Sequence, residues 1–296
     1  MKPSISIRLF GRFSVRLGEG LLLDQIPQKA EELLAYLILH PGKAHPRDSL
    51  AELLWGERDT PNSRKYLRQV LWQLHSGLVS LGRARAASLL RAESDWLELA
   101  LDDCVDVDVN RFEEAFAVVK AARGETLDPA QARAMMEAAQ LYRGDLLEGW
   151  LADWCDYDRE RFRRMYLSFL DKLADYFESN QEYEAAAAYA VMALRHDRAR
   201  ERSHRSLMRA LAMSGDRCGA IRQFTRCREA LRDELAVEPE PETIVLEQMI
   251  RAGQVVGAVR ERLAGTGGGG GSGSSVRGLS VVPASRRSAG ARARQA

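Results

Sequence analysis

Hydrophobic and polar positions alternate at the start of the chain. Ile5, Ile7 and Leu9 are spaced by polar residues, and after Gly11 the same period of two returns at Phe13, Val15 and Leu17. This predicts a β-hairpin, to which Leu21 to Leu23 add a short third strand. From Gln28 to His40 the period becomes helical, with Ala30, Leu33, Leu34, Leu37 and Ile38 in one stripe that stops at Pro41-Gly42. Pro46 suits the first turn of a second helix, in which Leu50, Leu53 and Leu54 face inward before Trp55 and Gly56. Thr60-Pro61-Asn62 predicts a turn, with Asn62 or Ser63 capping a third helix from Ser63 to about Leu81. Its apolar stripe is Leu67, Val70, Leu71, Leu74, Leu78 and Leu81. Ser88 to Arg91 and Trp96 to Leu101 then read as two strands around Glu93-Ser94-Asp95. Strands, three helices and a closing hairpin make an α+β winged helix-turn-helix over residues 1–108.

From about Asp108 onward the strand pattern gives way to successive helices. Shifting this part by 34 residues, from Ala186 to Ala220, also lays Leu173 on Leu207 and Phe177 on Leu211. The same shift lays Asn180-Gln181-Glu182 on Ser214-Gly215-Asp216. That period is the tetratricopeptide one, in which a helix pair buries its apolar face only by stacking on its neighbours. Residues 109–256 are therefore expected to form an all-α tetratricopeptide-like helical array, making the protein predominantly α-helical overall. Residues 257–296, rich in Gly, Ser and Arg, have too few apolar side chains to order themselves.

Charge sharpens one helix. The chain carries a formal charge of only +1, yet between Asp59 and Glu93 it has no acid while holding Arg64, Lys65, Arg68, Arg83, Arg85 and Arg91. At about 100° per residue, Lys65, Arg68, Gln69, Trp72 and Ser76 fall opposite the apolar stripe. Cations suit phosphates, and Gln or Arg can pair with base edges, so the face fits a DNA groove. Taken alone it also fits a solvated helix face. The candidate contacts are Arg64, Lys65, Arg68 and Gln69, with Trp72 and Gln73 beside them and Arg83, Arg85 and Arg91 toward the wing.

Other chemistry finds little support. Four cysteines without ligand spacing suit a reducing compartment, and the five histidines are expected in surface or capping roles. Asp102, Asp103, Asp106 and Asp108 lack the Gly and distal Glu of a calcium loop and are expected to be a solvated connector. Gly265 to Gly270 fit GxGxxG only as a linker, and no GxxxxGK[ST] occurs. No nucleophile, base and oxyanion donor assemble, so no catalysis, cofactor or metal is expected. Arg8 and Arg12 break any leader, and no run of about 18 apolar residues exists to span a membrane.

With LFGRFSV, LLAYLILHPG, LAELLWG, YRGDLLEGW, the Trp154…Arg159 pair and the long EAAAAYAVMALRHDRARERSHRSLMRALAMSGD segment in place, the chain resembles a SARP-type (Streptomyces antibiotic regulatory protein) bacterial transcriptional regulator. The resemblance spans about residues 4–256. It implies an OmpR/PhoB-like winged helix joined to a bacterial transcriptional activation domain. It also implies a cytoplasmic, nucleoid-associated activator that binds promoter repeats as a homodimer and meets RNA polymerase holoenzyme through the Gly56–Asn62 connection. The array would receive a small effector or a kinase signal. Two departures stand out. The third helix reads Leu74-His75-Ser76 where the family has Leu-Arg-Arg, and the wing tip carries Glu93 and Asp95 where the family has Gly-Tyr. They motivate the alternative of an interaction adaptor whose winged helix no longer binds DNA specifically.

Overall fold

The computed structural model describes residues 5–17, 20–21, 27–56, 60–79 and 88–254. Strands β1 (Ile5–Arg8) and β2 (Ser14–Leu17) pair antiparallel with Ile7 opposite Val15. The alternation buries Ile5, Ile7 and Val15, as a half-covered sheet requires. A short β3 (Gly20–Leu21) extends the edge; the rest of the expected third strand lies outside the described residues.

Helices α1 (Gln28–Leu39), α2 (Arg47–Trp55) and α3 (Thr60–Leu78) follow. The third begins three residues before the expected Ser63. Thr60-Pro61-Asn62 form its first turn, because a proline at the second helical position gives up no intrahelical bond. Leu67, Val70, Leu71, Leu74 and Leu78 are all buried, and α3 packs on α1 and α2. The wing is β5 (Leu90–Ala92) and β6 (Trp96–Leu99), with β4 (His45–Pro46) paired on β6 just ahead of α2. The Arg47 amide, at the start of α2, donates to the Asp95 carbonyl at the wing tip (2.9 Å).

Asp102 and Asp103 are exposed, as expected of a solvated connector, but residues 105–108 correct that expectation. Val105–Val107 form β7, a parallel partner of β1, and Asp108 opens helix α4 (Asp108–Val119) with its side chain buried. Its carboxylate accepts the amides of Leu9 (2.9 Å), Phe10 (3.1 Å) and Val109 (2.8 Å). A carboxylate can be buried only with such partners, which period-based reading does not register.

The N-terminal strands are also joined to the segment after α5 (Pro129–Leu141). Phe10 forms a bridge with Leu146, the Gly11 amide donates to Asp145 O (3.0 Å), and Leu147 and Glu148 amides donate to Leu9 and Gly11 carbonyls. Gly144 permits this approach, since a Cβ there would sit 3.2 Å from the Gly11 Cα and against the Glu148 carboxylate. The Phe10 ring lies 4.9–5.2 Å from Tyr142, Phe112 and Phe162, the last on helix α6 (Asp156–Ser179). The compact unit consequently runs from Met1 to Tyr176, across the expected boundary at 108.

The second unit begins at Phe177 and holds α7 (Tyr183–His196), α8 (Glu201–Met213), α9 (Arg217–Leu235) and α10 (Pro241–Ala252). The 34-residue shift reappears in its hydrogen bonds. Glu182 N donates to Phe177 O at 2.8 Å, and Asp216 N to Leu211 O at 2.8 Å. Gln181 and Gly215 both take positive φ, and Ala186 and Ala220 are both buried. His45 and His204 depart from the surface role expected of the histidines; both are buried. Burial holds His204 below its usual value, so the neutral ring donates from Nε2 to Arg198 O (2.9 Å) and accepts at Nδ1 from Gln223 (2.7 Å). Among the described residues, no helix is long and apolar enough to cross a membrane.

Burial pushes the Asp108 carboxyl up to about 6, while the three amides and Arg143 pull the other way. A folded value above the unfolded one means that the group's stabilisation is present below about pH 4 and lost as pH rises through about 6. The stability difference between wild type and Asp108→Asn should therefore shrink by on the order of 1 kcal/mol between pH 5 and pH 7.5. Urea unfolding at the two pH values measures it, and a pH-independent difference would contradict the assignment.

Candidate nucleic-acid interface

Helix α3 is held by its buried stripe and leaves its other face open. Lys65, Arg68, Gln69, Trp72, His75 and Ser76 are exposed, and the Trp72 indole is 67% exposed. Gln73 lies half-buried at the edge. No acid occurs anywhere in α3, so the face has no internal counter-charge. Among the described residues neither Lys65 nor Arg68 makes an ion pair.

Two other candidate cations are occupied. Arg64 forms a two-point fork with Asp48 of α2, Nε to Oδ1 at 2.6 Å and Nη2 to Oδ2 at 2.5 Å. The Arg64 hydrogen bond holds the Asp48 carboxyl below its usual range, and Asp48 raises Arg64 in return, with Asp95 of the wing tip adding to that rise. Arg91 pairs across the wing with Glu98 at 3.6 Å, the residue opposite it in the β5–β6 register. Arg83 and Arg85 lie outside the described residues. The structure thus brings Arg64, Lys65, Arg68, Gln69, Trp72 and Gln73 onto one helix and sets Arg91 on the wing.

Sequence reading missed the Asp48 fork. Its signal was an acid in the first turn of α2, but only the crossing of α2 and α3 places it against Arg64. It also missed two exposed aromatics near the same surface, Tyr66 (46% exposed), whose ring faces Trp55 at 6.0 Å, and Trp96 (47%) beside the wing tip. No group of His, Cys, Asp and Glu among the described residues is arranged to hold a metal.

Residues 107–251 match the family model of the bacterial transcriptional activator domain. Over 243 residues the chain is 30% identical to the regulatory protein AfsR of Streptomyces griseus, and over 237 residues 28% identical to AfsR of Streptomyces coelicolor. These matches support a SARP-type transcriptional regulator. Each AfsR match covers 79% of the chain but only 23% of the relative, so the chain spans about a quarter of the length of these regulators. Among solved structures it is similar to Mycobacterium tuberculosis EmbR in complex with a low-affinity phosphopeptide. That likeness has a TM-score of 0.72 at 20% identity, covers 89% of this chain and 70% of that one, and concerns the fold. The family consists of transcriptional regulators rather than enzymes.

The Arg64–Asp48 fork lies in solvent, where an ion pair adds little to stability. Asp48→Asn should leave the thermal midpoint within the scatter of replicate melts. Leu74→Ala, by contrast, should cost about 2–5 kcal/mol by opening the buried stripe. A drop for Asp48→Asn as large as that of Leu74→Ala would mean that the fork, not the stripe, seats α3.

Proposed function

We propose that this SARP-type regulator is a sequence-specific DNA-binding activator whose helix α3 enters the major groove. The observation that carries this is the exposed, acid-free face of Lys65, Arg68, Gln69 and Trp72 backed by a fully buried stripe. Such a face meets a polyanion with no counter-charge of its own to displace. Lys65 and Arg68 hold phosphates, and Gln69 is placed to pair with a base edge. Arg64 exchanges Asp48 for a phosphate, or stays as the brace that fixes the face. Arg91 shares its charge with Glu98, and Arg83 and Arg85 contribute by charge alone. Gln73 reaches the groove only at its margin.

By likeness to the family, two protomers bind promoter repeats and the Gly56–Asn62 connection meets RNA polymerase holoenzyme, in the cytoplasm at the nucleoid. An input through a kinase signal or a small effector belongs to the same reading; the EmbR structure that the chain resembles holds a phosphopeptide. A second reading, an interaction adaptor without specific DNA binding, draws on the acidic wing tip and on the pairing of Arg64 and Arg91 with acids.

Two measurements separate the readings. Replacing Lys65 and Arg68 together by Ala should lower the salt slope of DNA binding by about two per protomer. An unchanged slope would remove α3 from the interface. Gln69→Ala should cost on the order of 1–3 kcal/mol at one base pair and leave the others unaffected. Selection of bound duplexes from a random pool that enriches no sequence would favour the adaptor.

A further inference from the structure

Trp72 is the part of α3 that phosphate binding leaves unexplained. At about 100° per residue Trp72 falls between the two cations around the helix, about 20° from Lys65 and about 40° from Arg68, so the indole stands inside the cationic face and not at its margin. There it is 67% exposed, whereas Trp55 is half-buried with its ring 6.0 Å from that of Tyr66. An indole offers one donor and a broad apolar surface, which does nothing for a phosphate oxygen. In the major groove the apolar group that a base pair presents is the C5-methyl of thymine. Gln69 lies three residues earlier, about 4.5 Å along the helix axis, close to one base step away. Its side-chain amide matches the N6/N7 edge of adenine.

We propose that Trp72 reads a thymine methyl in the major groove, beside an adenine bonded by Gln69, so that each half-site has an A·T step at its centre. This rests on the reading of α3 as the DNA-contacting helix. Double-stranded DNA is the occupant because Lys65 and Arg68 flank the indole without acid partners among the described residues. Trp72 is then a specificity residue, and the cations around it supply the affinity common to all sequences.

The test uses the full chain and the duplex selected from a random pool, with each thymine replaced in turn by uracil, which lacks only the methyl. Wild type should lose about three- to fivefold in affinity at one position, the worth of one buried methyl group. Trp72→Ala should bind the parent duplex more weakly and bind the thymine and uracil forms equally. Trp72→Leu, which keeps an apolar surface, should retain part of the discrimination. Indifference of the wild type to uracil at every position would overturn the proposal, as would Trp72→Ala discriminating as strongly as wild type. If the pool yields no preferred duplex, the DNA-binding reading itself fails and takes this inference with it. If a preferred duplex is bound with no uracil effect, only the role of Trp72 is lost.

Discussion

The first unit depends on a buried carboxylate placed where two chain segments meet. Asp108 follows β7 and opens α4, and it accepts the amides of Leu9, Phe10 and Val109. Three charge-assisted bonds offset part of the desolvation of one carboxylate and hold the end of β1 against the first helix of the activator domain. With the backbone fixed, the Phe10 ring enters a cluster of Phe112, Tyr142 and Phe162. The winged helix and α4 to α6 thereby share one core, in a compact unit that runs to Tyr176.

Two motifs that read as separate marks along the chain are halves of this joint. LFGRF supplies Phe10 and Gly11; YRGDLLEGW supplies Tyr142, Gly144, Asp145, Leu146 and Leu147. Gly11 and Gly144 approach so closely that a side chain on the second has no room, and Asp145 O receives the Gly11 amide. Tyr142 OH donates to the Asp145 carboxylate (2.7 Å), and Arg159 donates to the carbonyls of Leu146 (3.1 Å) and Trp150 (3.2 Å). The segment between α5 and α6 is thus held from the strand side and the helix side together.

Helix α3 is seated by its own buried stripe against α1 and α2. Its buried stripe fixes its rotation, so the opposite face has one composition and not a mixture. Arg64 is paired with Asp48 and Arg91 with Glu98, while Lys65 and Arg68 at the crest make no ion pair among the described residues. That division separates groups free to meet an anion at once from groups that must first exchange a partner. In the second unit the same economy of pattern appears as repeated turns, with Gln181 and Gly215 in matching left-handed positions.

Local periodicity was enough to reveal the β1–β2 hairpin, the three helices, the wing and the 34-residue repeat, because each is written in spacings of two, 3.6 or a whole supersecondary unit. The stripe and the open face of α3 were legible for the same reason, as one helix carries both. Strand β7 was not, since Val105-Asp106-Val107 sits in an acidic run and becomes a strand only when β1 lies beside it. Asp108 looked like one solvated acid among four until three distant or adjacent amides converged on it. Asp48 and Arg64 are 16 residues apart on different helices, and nothing but the crossing of α2 and α3 joins them. Sequence settled the first hairpin, the helices, the wing and which face of α3 is cationic. Tertiary structure decided which charges are paired and where the first unit ends, because hydrogen bonds and ion pairs between segments far apart in the chain leave no period in the sequence.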